Sequence, residues 1–287
     1  STYTAYDIMM RSLRYRLFHI ATLIFFAIPQ NIWSQSIPEE EIKSIESMIC
    51  SIKTIDPEGT VAIDGILADK SRYGSWFTSE DRIMFILKEP YDQIKQIETK
   101  AVYYNKWLVS EYDTIRSIPQ EDGAPTYRPI ATITNMIIKD ADYGTIYQEY
   151  DSREAYRIFL EHTAIINCKK EHNRNSVYTV ESELIDHITR YGYIVEKQLK
   201  VYNPTVVIFA NTYRYLIENQ GGRITILGES IPSSNVYTMG DGKHKYYFND
   251  KRIFIEAYHP SARINKETYC NQILEAVRRW KSEMGME

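Results

Sequence analysis

At 287 residues, 44% hydrophobic and 25% charged, the chain has the composition of an ordinary globular protein, long enough for one large domain or two small ones around a buried core. Its 34 Lys and Arg against 38 Asp and Glu leave a net charge of −4, so any nucleic-acid contact has to rest on a local basic patch rather than on overall charge. Cys50, Cys168 and Cys270 are odd in number and far apart, with no CxxC pair, which argues against a disulfide framework or a zinc knuckle and fits a reducing, cytoplasmic setting. The 24 tyrosines suit a surface that stacks on rings, and equally suit a plain compositional habit.

In chain order, residues 1–35 read as helical. Within them, the basic stretch Arg11–Arg16 followed by the apolar run Leu17–Ile28 has the outline of a signal peptide. That run is shorter than the ~20 residues a membrane helix needs, and a core helix is the preferred reading. Pro38 opens a second helix to about Ser51, with Glu39, Glu40 and Glu41 in the first turn, where the helix dipole favours negative charge. Residues 56–81 are rich in Gly, Asp and Ser and read as loop. Residues 100–151 read as irregular helix with a loop at Pro119–Pro125. Helices are also expected over about 180–201, 212–219 and 266–284, and 223–248 reads as a hairpin excursion.

Four short apolar runs stand out: Arg82–Leu87, Thr163–Ile166, Thr205–Ala210 and Arg252–Ile255. Continuous apolar runs of this length are the pattern of strands covered on both faces. Alternating with helices, they predict a three-layer α/β/α fold with a central, mostly parallel four-stranded sheet. No boundary divides the chain, so a single domain over 1–287 is expected, with 1–80 as a helical elaboration and 81–287 as the α/β core.

Ligands of open parallel sheets bind beyond the carboxyl ends of the strands. Three of the four runs end in residues able to do chemistry. The first ends at Lys88-Glu89-Pro90-Tyr91-Asp92, where a carboxylate held by proline can position water or stabilise a developing cation. The second ends at Asn167-Cys168-Lys169-Lys170, where a planar amide offers a donor and an acceptor to the edge of a base. The fourth ends at Tyr258-His259-Pro260-Ser261, where an imidazole can donate to an oxygen gaining negative charge.

Together these segments resemble the uracil-DNA glycosylase superfamily. Lys88-Glu89-Pro90-Tyr91 is similar to its first motif, Asn167 with the following lysines to its middle strand end, and His259-Pro260-Ser261 to its last motif. Asn203-Pro204 before Thr205–Ala210 looks like the strand that follows its long helix. The resemblance spans about residues 80–285 and implies base flipping and cleavage of an N-glycosidic bond, in repair or antiphage defence, without metal or cofactor. It implies that Glu89 orients water, His259 stabilises the departing base, and Asn167, Tyr91, Pro90 and Lys88 bind it. Ser261, Arg263, Lys169 and Lys170 would then contact DNA phosphate, with Lys243, His244 and Lys245 extending a basic rim and Ile264 or Arg263 as a wedge. The sequence departs from the best-known motif in having Glu for Asp at 89, Lys for Gln at 88 and Asp for His at 92, which opens the substrate to modified pyrimidines. A non-catalytic nucleic-acid or nucleotide binder on the same fold, and a hydrolase of free nucleotides, are the other readings.

Overall fold

The computed structural model describes residues 36–55, 59–68, 70–90, 101–103, 126–149, 152–172 and 178–286. Expectations for residues 1–35, for Tyr91 and Asp92, and for the Pro119–Pro125 loop lie outside them. The described residues from Ile37 onward belong to one compact unit, Ile37–Glu287.

Four parallel strands form the centre: β3 (Ile83–Leu87), β5 (Thr163–Asn167), β6 (Val206–Ala210) and β12 (Ile253–Ala257). Every residue in them is buried, as their uninterrupted apolar runs require. Alternation divides each strand between two cores: Ile83, Phe85 and Leu87 of β3 join one, Met84 and Ile86 the other. The first core is completed by α3 (Tyr127–Lys139), α4 (Tyr143–Tyr147), α5 (Arg153–His162) and α8 (Lys266–Glu283). The second is completed by α1 (Glu39–Cys50), α2 (Tyr73–Thr78) and α6 (Glu181–Tyr202). Helices therefore cover both faces of a mostly parallel sheet, as the alternating pattern predicts.

The sheet has seven strands, not four, in the order β10-β11-β12-β6-β3-β5-β2. The additions are β2 (Gly65–Ile66), antiparallel on β5, and β11 (Lys245–Phe248) with β10 (Val236–Thr238), antiparallel beyond β12. They are two to four residues long, too short for a periodicity to show; β10 and β11 fall within the 223–248 segment that reads as a hairpin, and β2 within the 56–81 segment that reads as loop. Residues 56–81 likewise hold β1 (Val61–Ile63), which pairs in parallel with β4 (Ala101–Tyr103), together with β2 and α2. The expected helix over 212–219 is only α7 (Tyr213–Leu216), followed by β7 (Ile217–Gln220), which forms a meander with β8 (Arg223–Ile226) and β9 (Glu229–Ile231).

Chain order and spatial order together locate the crevice. The chain starts the parallel set at β3, moves to β5 on one side, then crosses to β6 and β12 on the other. The direction of winding reverses between β3 and β6, and the carboxyl ends of those two strands border the opening where such sheets take their ligands.

Candidate functional site

At the end of β5, Asn167 is wholly buried and faces Leu87 of β3 in register. Pairing continues past both strands, Cys168 N–H donating to Leu87 O and Lys169 N–H to Lys88 O, each at 2.8 Å. Lys88 and Glu89 are thereby held beside Cys168 and Lys169 at the switch point. Glu89 is 4% exposed, and its Oε2 lies 3.6 Å from Lys169 Nζ. Lys169 Nζ also donates to Glu183 Oε2 of α6 at 2.9 Å.

Beneath Asn167 sits a buried polar group that the sequence did not single out. Asp64, between β1 and β2, accepts from Asn167 N at 2.7 Å and Asn167 Nδ2 at 3.1 Å, both at Oδ2. At Oδ1 it accepts from Lys170 Nζ at 2.8 Å and Gln198 Nε2 at 2.9 Å. Lys170 Nζ donates again to Gln198 Oε1 at 2.7 Å, and Lys170 N–H donates to His187 Nε2 at 3.1 Å. Burial lowers the pKa of Lys170, against the pull of Asp64. Burial, with the charges of Lys170 and Lys169, pushes His187 down to about 3, so its ring is neutral. Asn167 Oδ1, on the other side of the amide from Asp64, is buried with no hydrogen-bond partner among the described residues.

Gly65 makes the Asp64 turn possible. It has a φ of +151°, and a Cβ there would stand 2.7 Å from Tyr202 Oη. Asp64-Gly65 stands between the apolar triplets Val61-Ala62-Ile63 and Ile66-Leu67-Ala68 and reads from sequence as a turn, so the carboxylate at its head carries no signal of its own.

At the end of β12 the arrangement is more open. His259 is partly buried, and its Nδ1 lies 2.7 Å from Ser261 Oγ and 3.3 Å from Ser261 N–H. A backbone N–H can only donate, so Nδ1 is the acceptor and the neutral ring carries its proton on Nε2. Burial first, then the cations Lys88 and Lys266, push His259 down to about 4. Lys88 is itself half-buried, its pKa lowered by burial and by Arg214 against Glu181 and Glu89. Lys266, in the first turn of α8, donates at 2.5 Å to both Pro260 O and Ala262 O and so fixes the loop. Between the ends of β3 and β12, Thr212 after β6 donates from Oγ1 to Ile86 O at 2.9 Å.

The expected phosphate-binding rim needs correction. Lys169 and Lys170 are 2% and 1% exposed and turned inward, because Glu89 and Asp64 are desolvated carboxylates that demand cations. They are not available to phosphate. His244 is buried against Asp241, leaving Lys243 and Lys245 exposed at that point. Ser261 and Arg263 are exposed beside His259, as anticipated, while Ile264 packs partly buried against the core and is no free wedge. A cavity of about 160 Å³ lies nearby, bounded by Asp241, His244, Glu256, Tyr258, Ile264 and Tyr269 among others; none of Glu89, Asn167 and His259 lines it.

Among the described residues, no helix is long and apolar enough to cross a membrane. Compared with known proteins, the sequence matches no family model and no curated protein.

Proposed function

We propose that the chain is a DNA glycosylase that hydrolyses the N-glycosidic bond of uracil or a modified pyrimidine. The carrying observation is a neutral His259, its Nε2–H set up as a donor, on the same sheet edge as the buried carboxylate of Glu89. Breaking the bond leaves positive charge on the sugar and negative charge on the departing base. Glu89 serves the first by facing the oxocarbenium character and orienting the water that adds to it. His259 serves the second as a hydrogen-bond donor whose ring needs no protonation at neutral pH. Asn167 holds the base edge, and Ser261 with the exposed Arg263 meets the backbone phosphate. The products are the free base and an abasic sugar.

The ion pair of Glu89 with Lys169 and the inward turn of both lysines favour a second reading, a non-catalytic nucleic-acid binder. One experiment separates them. Single- and double-stranded oligonucleotides carrying uracil, hydroxymethylated or glucosylated bases are incubated with the full chain and then cleaved with alkali. The glycosylase reading expects strand cleavage at one or more of these bases, at least about 100-fold slower with Glu89→Gln. Absence of abasic product from every substrate rejects it, and binding undiminished in Glu89→Gln would then support the second reading.

A further inference from the structure

Asn amides can present either end to a ligand, and which end is offered decides what is read. Here Asp64 makes that choice. Its Oδ2 accepts both from the backbone N–H and from Nδ2 of Asn167, at 2.7 and 3.1 Å. Rotating the amide would set Asn167 Oδ1 against the same carboxylate oxygen, two desolvated acceptors with no proton between them. Asp64 cannot turn away, because Lys170 and Gln198 hold its other oxygen at 2.8 and 2.9 Å, and all four residues are buried. Asn167 Oδ1 is thus fixed as the end turned away from Asp64, buried and without a donor among the described residues. A buried acceptor without a partner is unfavourable until a ligand supplies an N–H.

From this we infer that Asp64 is a positioning residue that sets the specificity of the site, making Asn167 select a ring with an N–H donor at its edge. This rests on the reading of the strand ends as a base site. Uracil, thymine and their 5-substituted forms present an imide N3–H between two carbonyls and satisfy Oδ1. Cytosine and its hydroxymethylated or glucosylated forms present an unprotonated N3 there, opposing acceptor to acceptor. Modified uracils therefore fit the site, and modified cytosines do not.

The test uses the full chain and single-stranded oligonucleotides with one central uracil, N3-methyluracil or cytosine, with binding and single-turnover base release followed in parallel. The unaltered chain is expected to bind uracil at least about tenfold more tightly than either other base. In Asp64→Asn, with its fold verified by circular dichroism and melting, the uracil-to-cytosine ratio should fall at least about fivefold. A residue with a merely structural role would lower both values together and leave the ratio unmoved. Should that variant fail to fold, Asp64→Asn combined with Lys170→Gln removes the carboxylate and its buried cation together, and the same ratio decides. Equal binding of the three bases by the unaltered chain, or an unmoved ratio in a folded Asp64 variant, overturns the inference. Selective binding without release rejects the hydrolytic reading and leaves the role of Asp64 standing; release without selectivity does the reverse.

Discussion

The end of β5 and the end of β12 lie on the same edge of the sheet and are built on opposite plans. Asn167 is locked from below by a buried carboxylate, a buried ammonium and a buried amide, so that its orientation is part of the fold. His259 sits on a loop tethered by one lysine and oriented by its neighbour two residues on. The first plan gives a fixed reader, costly to disturb. The second gives a group whose chemistry is set by local desolvation and nearby cations, on a loop held by Lys266.

The sharpest way to break this contrast is at Asp64. Asp64→Ala strands Lys170 as a buried charge without a partner, and should cost about 3–5 kcal/mol of stability by urea denaturation. A loss below about 1 kcal/mol would mean that the β5 end is not locked.

Acid probes both ends at once. His187 and His259 have folded pKa values of about 3 and about 4, below the unfolded value of 6.5. The unfolded chain therefore binds protons first as pH falls, so the stability these rings contribute is full above pH 6.5 and is lost as pH drops towards 4 and then 3. Each should cost about 1–2 kcal/mol between pH 7 and pH 5, seen as a falling urea midpoint, and His187→Ala or His259→Ala should flatten that slope. Over the same range, base release should show no inflection near 6.5 from His259.

Loosening the β12 loop should matter less to the fold than to the reaction. Lys266→Met removes two hydrogen bonds from a partly exposed loop, at a cost of about 1 kcal/mol or less, while base release falls about tenfold. Ser261→Ala is the mildest change. Stability should stay within about 0.5 kcal/mol, and release should drop only a few-fold, because the Ser261 backbone N–H still holds the imidazole.

What the sequence revealed follows the same division. Parallel strands buried on both faces announce themselves as runs such as Ile83–Leu87 and Val206–Ala210, and their ends placed Glu89, Asn167 and His259 on one edge. The antiparallel pair β10 and β11 falls inside the 223–248 segment that reads as a hairpin, but its place on the central sheet does not show in the sequence, and β2 is too short for any periodicity to show. Asp64, Gln198 and His187 were missed because each matters only through contacts across more than a hundred residues or across one buried helix face. Lys169 and Lys170 were misread for a related reason. Adjacent lysines after a strand look solvated until a buried carboxylate is known to lie beneath each.

Whether three strand ends serve one reaction is decided by single-turnover release of uracil from a single-stranded oligonucleotide, with the freed base quantified by mass spectrometry. The unaltered chain should release it, and Glu89→Gln, Asn167→Ala and His259→Ala should each slow release by at least about 100-fold while remaining folded. Release by the unaltered chain that survives at its full rate in any one of the three variants would contradict a shared site.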